Sequence, residues 1–315
     1  MNETTQQGPQ PSPRFTALAW AMMAYLIGVI LFGAWVRITG SGAGCGSHWP
    51  TCHGELIPPN PSTETLIEYT HRLTSGMCGI FGVALWAWAG RLFGWRSRVA
   101  MASLGCLFFI IVEGAIGAGL VLQELVADDA SGARATVISL HLVNTLALLA
   151  MSSLAAWWSK PRLTGPPLSL RKPLAVVLGL LVLVSMSGAV TALGDTLFPV
   201  EIGPEGMLDH VIADLSPTQH FLVRLRIVHP VLAILVALGA WRLALACSDG
   251  ATGETRTLAQ MALIGVMVQV VVGMANIWLG APGWMQLIHL FIAEVIWVCF
   301  LLLYVSSERP SAATS

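Results

Sequence analysis

The sequence predicts an all-α integral membrane protein of eight transmembrane helices, arranged as two parallel-repeat four-helix bundles. Three observations carry this expectation. Of 315 residues, 55% are hydrophobic and only 10% charged, where a soluble domain carries about 25% charged residues, and the mean hydropathy is +0.73. Eight apolar stretches are each long enough to cross hydrocarbon as a helix. Histidines recur at matching depth in the two halves of the chain. Sixteen Lys and Arg against 17 Asp and Glu leave a formal charge of −1, so no basic excess points to nucleic acid as a partner.

The spans cover residues 16–37, 66–89, 99–122, 136–158, 173–193, 220–241, 257–279 and 285–305. Runs such as Leu174 to Leu183 are apolar on every side, which a membrane β-barrel with its alternating pattern does not allow. The stretch ahead of span one is polar, and span one is too long and lacks the small-residue site of a cleaved leader, so the N-terminus is expected to stay in the cytoplasm. Eleven of the 16 Lys and Arg (Arg14, Arg91, Arg96, Arg98, Lys160, Arg162, Arg171, Lys172, Arg242, Arg256 and Arg309) then fall on the inner side, as cytoplasmic retention of cations requires. Both termini are therefore expected in the cytoplasm of a bacterial plasma membrane. The longest loops, 38–65 and 194–219, lie outside, and length of that kind in a small membrane protein signals function or ordered packing. The chain divides into a tail (1–15), an N-terminal four-helix half (16–158), a cytoplasmic linker (159–172), a C-terminal half (173–306) and a second tail (307–315).

The two halves repeat one another. Span two carries Glu68-Tyr69-Thr70-His71-Arg72 and span six Arg226-Ile227-Val228-His229-Pro230; span four carries His141-Leu142 and span eight His289-Leu290. Gly33-Ala34 in span one matches Gly188-Ala189 in span five. An even number of spans per unit makes the repeats parallel, which disfavours an inverted-repeat transporter. Strongly polar side chains inside a membrane are costly and mark functional sites. In each half, the second and fourth helices place two imidazoles across a bundle core, an arrangement that suits the axial positions of a haem iron. His71 is thus paired with His141, and His229 with His289. Zinc fits less well, since each half lacks a third and fourth ligand. His48, His53, His210 and His220 belong to outer loops or their margins and are assigned no ligand role.

Arg37, Arg72, Arg224 and Arg226 break the inside bias and lie near the outer ends of spans flanking the histidines. Forked guanidinium groups would pair with haem propionates; snorkelling to the interface is the alternative. Glu68 precedes His71 by three residues, so the two share a helix face about 4.5 Å apart along the axis, and a carboxylate beside a haem edge can move protons. The C-terminal half has Arg226 at that place. An exposed acid near the helix start is the other reading of Glu68. Glu113 and Glu294 lie inside spans and are secondary candidates. Cys78, Cys106, Cys247 and Cys299 read as packing residues. Cys45 and Cys52 share an outer loop that permits a disulfide, either a fixed staple or a pair that exchanges electrons.

With these residues in view, the chain resembles the haem A synthase family. The resemblance spans all eight helices and rests on Thr39-Gly40-Ser41-Gly42 leading to Cys45 and Cys52 around Trp49-Pro50, on Glu68 to Arg72, on His141-Leu142, on Leu225 to Pro230, and on His289. It implies oxidation of a haem O methyl to a formyl group. Substrate haem O would lie between His71 and His141, a resident haem b between His229 and His289, and Glu68 would be essential to chemistry. Some relatives carry a second cysteine pair in the outer loop of the C-terminal half; residues 194–219 here contain none, so a mechanism needing that pair does not apply. Membrane lipid, haem O synthase, oxidase assembly factors and an unidentified electron acceptor are the partners expected. The rival class is a non-enzymatic di-haem membrane cytochrome, or a haem carrier for oxidase assembly.

Overall fold

The computed structural model describes residues 12–160, 165–199 and 214–307. The expectations for Arg162, His210 and Arg309 fall outside the described residues. Eight helices are long and apolar enough to span a membrane, and the described residues contain no strand beyond an isolated bridge between Cys52 and Glu55. They are α1 (Pro13–Ile38), α2 (Thr63–Phe93), α3 (Arg98–Leu122), α4 (Gly132–Trp158), α5 (Leu168–Leu197), α6 (Phe221–Ser248), α7 (Gly253–Trp278) and α8 (Gly283–Ser306). The protein is a multi-pass membrane protein.

All eight expected spans lie on these helices, with ends displaced by a few residues. Local capping chemistry sets the true starts in the N-terminal half. Ser12, Ser62, Ser97 and Ser131 each turn a hydroxyl oxygen onto a backbone N–H three residues on, at 3.3, 3.2, 3.1 and 3.1 Å, satisfying one of the otherwise orphaned N–H groups of the first turn. Pro13 directly after Ser12 suits the first helical position, where no N–H is needed. Helix α6 starts less regularly, with a four-residue turn (Phe221–Arg224) and a 3-10 turn (Leu225–Ile227) before a regular helix from Val228. Pro230, at the third position of that regular stretch, has no N–H to give to the turn before it, and the irregular entry follows from this.

Contacts close α1–α4 into a ring in which each helix meets the next and α1 meets α4; α5–α8 form a second ring in the same way. The rings meet through α1 and α4 on one side and α5 and α8 on the other. Trp297 of α8 donates its indole N–H to the Leu146 carbonyl of α4 at 2.8 Å, and Gly283 lies so close to Ile38 that no side chain would fit.

The packed core occupies one end of the bundle. Phe15 to Leu26, Cys78 to Ala89, Val99 to Ile110 and Leu148 to Trp157 join Leu174 to Leu178, Ala240 to Cys247, Leu258 to Val266 and Ile296 to Leu303 in one continuous cluster. Because successive helices run in opposite directions, these segments all lie at the same end. The opposite ends of the helices diverge around a cavity, with only Ala135, Leu193 and Leu222 forming a small cluster there. Large apolar side chains such as Ile80, Phe108, Leu183, Leu235 and Val271 face outward, as lipid-facing positions should. The four free cysteines are buried in the packing, as the sequence suggests.

Candidate functional site

A cavity of about 1940 Å³ is lined by residues of all eight helices, among them His71, His141, His229 and His289. Pockets for small molecules hold about 300–1,000 Å³, so the space suits something larger than one small ligand.

Glycines set how the histidines lie. A Cβ on Gly33 of α1 would come within 3.0 Å of His71 Cε1 and 3.1 Å of Nε2; on Gly188 of α5 it would approach His229 Cε1 at 3.0 Å; on Gly273 of α7, His289 Cε1 at 3.1 Å. A side chain at any of the three would push its imidazole away by a few tenths of an ångström, so glycine lets each ring rest on its neighbouring helix. The matched Gly33 and Gly188 of the sequence thus acquire a physical role, whereas the part played by Gly273 has no expectation behind it. Phe32 meets His71 edge to face, with centroids 5.6 Å apart.

His229 Nδ1 lies 3.1 Å from the Val184 carbonyl and 3.1 Å from Ser187 Oγ. Since a carbonyl only accepts, Nδ1 carries the proton and Nε2 keeps its lone pair. The rings of His229 and His289 lie edge to face, with centroids 6.2 Å apart and planes at 83°. His289 Nε2 meets the Gln269 amide nitrogen at 3.1 Å, while its buried Nδ1 has no hydrogen-bond partner among the described residues. In the N-terminal half His71 Nδ1 is likewise buried without a partner. His141 Nδ1 stands 2.5 Å from Glu113 Oε2, and Thr145 Oγ1 donates to Glu113 Oε1 at 2.6 Å. Glu113, secondary in the sequence, therefore touches one of the four histidines.

Glu68 is buried, with 3% of its surface exposed, which sets aside the reading of an exposed acid. Its Oε2 accepts the backbone N–H of Cys45 at 2.7 Å, and Oε1 pairs with Arg72 through Nε at 3.1 Å and through Nη2. The other arm of Arg72 donates to the carbonyls of His48 and Thr51, at 2.7 Å each. Both carbonyls belong to the loop closed by the Cys45–Cys52 disulfide, seven residues apart in sequence. That loop presses on α2: Thr65 Oγ1 donates to the Gly44 carbonyl at 2.6 Å, and Gly44 lies against the backbone of Glu64 too closely for any Cβ. Trp49, Pro50 and Leu56 of the loop line the cavity mouth.

The arginines separate. Arg37, Arg72 and Arg226 line the cavity, whereas Arg224 is exposed and is not on its wall. Arg226 approaches Asp195 Oδ1 at 2.9 Å and Asp214 Oδ2 at 3.7 Å, and donates to the carbonyls of Gly194 and Phe198. Arg37 donates to the Ala192 carbonyl at 2.6 Å, to Gln286 Oε1 at 3.0 Å and to Thr196 Oγ1. Arg134 is a buried cavity residue that donates to the carbonyls of Ala127 and Asp129; its Nε has no partner among the described residues.

Glu294 also lines the cavity, 1% exposed, with neither oxygen partnered among the described residues. His53 and His220 make local bonds to the Gly44 carbonyl and the Leu222 N–H. Among the described residues, no three His, Cys, Asp or Glu converge as a protein-only metal site requires.

A family model for COX15-CtaA, described as cytochrome oxidase assembly protein, matches residues 16–301. A Thermus thermophilus protein called Protoheme IX farnesyltransferase is 45% identical over 306 residues, covering 95% of this chain and 49% of that protein. Proteins called Heme A synthase are 49% identical in Alkalihalophilus pseudofirmus and 43% in Exiguobacterium sibiricum, each over 96 residues, 30% of this chain and 32% of theirs. The chain thus spans about half the length of the Thermus protein, and a third or less of the length of each Heme A synthase is matched.

Proposed function

The chain belongs to the COX15-CtaA family of cytochrome oxidase assembly proteins, and from that premise we propose that it is a membrane oxidoreductase of haem A biosynthesis, converting a methyl group of haem O to a formyl group. The observation that carries this reading is Glu68. It is a buried carboxylate fixed from two sides, three residues before His71, in one half of the molecule only; the corresponding residue of the other half is Arg226. Simple bis-histidine ligation has no use for such an acid. The farnesyltransferase name of the Thermus protein describes a chain about twice as long, so that activity is not carried over.

The donor set suits haem. Paired imidazoles approach from two helices, and ring nitrogens without a hydrogen-bond partner stand at His71 and His289. His71 and His141 would hold the substrate haem O by its iron, and His229 and His289 a resident haem b. A haem b held there would supply single-electron transfer. The chain's own residues orient the porphyrin, exclude water with an apolar wall, and handle protons. Glu68 takes a proton, or stabilises positive charge, as the methyl is oxidised through an alcohol and then a hydrate that loses water, each oxidation removing two electrons from the methyl carbon for an external electron acceptor. Arg72 and the Cys45 N–H keep its carboxylate in place. Arg37, Arg72 and Arg226 stand where propionates could meet them, and Arg134 offers an unused Nε.

The rival reading, a di-haem cytochrome or a haem carrier, draws on the glycine–histidine contacts present in both halves. In either case we place the protein in a bacterial plasma membrane with both termini cytoplasmic and the cysteine loop outside. Haem O synthase and oxidase assembly factors are the partners this reading implies. Extraction and mass analysis of the haems from protein produced with a haem O source, for wild type and Glu68→Ala, separates the readings. Haem A or its hydroxylated precursor in the wild type alone supports the oxidoreductase; two equivalents of unmodified haem b in both proteins support the cytochrome.

A further inference from the structure

Glu113 and Gln269 occupy matching places. Each stands on the third helix of its ring, four residues before a glycine (Gly117 and Gly273), and each reaches the histidine of the fourth helix. In the N-terminal half His141 Nδ1 lies at ion-pair distance, 2.5 Å, from a carboxylate whose other oxygen is held by Thr145 at 2.6 Å. In the C-terminal half the partner of His289 is an uncharged amide at 3.1 Å, and Ala293 stands where Thr145 does, four residues after the histidine.

The outer partner of a ligating imidazole tunes the metal. A carboxylate facing one ring nitrogen pushes electron density toward the other and adds negative charge near the iron, which favours the more positive, oxidised iron. An amide does this far less. The same charge counts for more in a low-dielectric bundle interior than in water.

We propose that Glu113 is a positioning residue that sets the iron between His71 and His141 at a lower reduction potential than the iron between His229 and His289. The N-terminal iron then gives up an electron, becoming oxidised, and the C-terminal iron accepts it, becoming reduced; no atom or proton need move between them. This ordering rests on the reading that the four histidines hold haem, and it gives the two halves a direction of electron flow.

The test is a spectroelectrochemical titration of purified protein reconstituted with protohaem in both sites, so that only the protein distinguishes them. His71→Ala, which leaves the C-terminal site, assigns the steps. Wild type is expected to titrate in two steps, the lower from the N-terminal site. Glu113→Gln is expected to raise the lower step by at least about 59 mV, a tenfold change in the one-electron equilibrium, and Glu113→Asp to restore most of the difference. Gln269→Glu is expected to lower the upper step. Unchanged potentials in both Glu113→Gln and Gln269→Glu would overturn the proposal, as would the reverse order in wild type. Should Glu113→Gln lose its N-terminal haem, Gln269→Glu decides alone. Absence of haem from both wild-type sites would instead overturn the ligand assignment on which the proposal rests.

Discussion

The two rings of four helices hold their histidines alike and surround them differently. In both, an imidazole from the second helix lies against a glycine of the first, Gly33 under His71 and Gly188 under His229. In both, an arginine near the open end of the second helix pairs with a carboxylate. The polarity is exchanged: residue 68, three before the histidine, is the acid served by Arg72, whereas residue 226 is the arginine served by Asp195 and Asp214. A carboxylate stands beyond His141 and an amide beyond His289. The difference teaches that one ligand geometry can serve two tasks when the groups around the ligands are changed and the ligands are not.

The sharpest way to break the comparison is to remove the acid that only one half has. Glu68→Ala is expected to lower turnover by at least the 10²–10⁴-fold typical of a lost acid–base group, with haem content unchanged, as read by haem extraction and absorbance. Gly188→Val should remove the haem of the C-terminal half while sparing the other, and Gly33→Val the converse, because a branched side chain takes the place of the imidazole. Pyridine haemochrome analysis counts the haems, and retention of both in both variants would show that the glycine contacts do not matter. A Cys45→Ser, Cys52→Ser double variant frees the loop whose N–H and carbonyls fix Glu68 and Arg72. Its expected loss of turnover, on the order of tenfold, is smaller than that of Glu68→Ala, and equal loss would make the cysteines participants rather than supports. The smallest effect concerns the serine caps of the N-terminal half: Ser62→Ala is expected to cost about 1 kcal/mol, seen as a lower unfolding temperature in detergent with haem content preserved.

Much of this contrast can be read in the chain. Apolar length alone locates the eight spans, recurrence locates the four histidines, and the three-residue spacing to His71 points to Glu68. The helix starts are less legible because they depend on one hydroxyl each, as at Ser62, four residues ahead of the apolar run. Pro230 hides the irregular entry to α6, since a proline early in a helix is equally compatible with a regular one. Gln269 escapes notice and Glu113 stands only as a secondary candidate, because their partners are 20 and 28 residues away on another helix. The shared spacing of Glu113 to Gly117 and Gln269 to Gly273 is the signal that would expose them. Asp195 and Arg134 are similar cases: the first gains meaning only from Arg226 across the ring, and the second is visible in sequence merely as a charge on one side.

Arg37 belongs to α1, yet the three groups it donates to, on Ala192, Thr196 and Gln286, all belong to α5 and α8. If the chain descends from a doubled ancestral unit, each copy must once have satisfied its own polar groups. An arginine that borrows its acceptors from the other copy ends that independence. From then on the halves can drift only in concert, a change at position 37 calling for answering changes at 196 or 286, and their separation onto two genes would leave a guanidinium stranded in each generation that inherits one without the other.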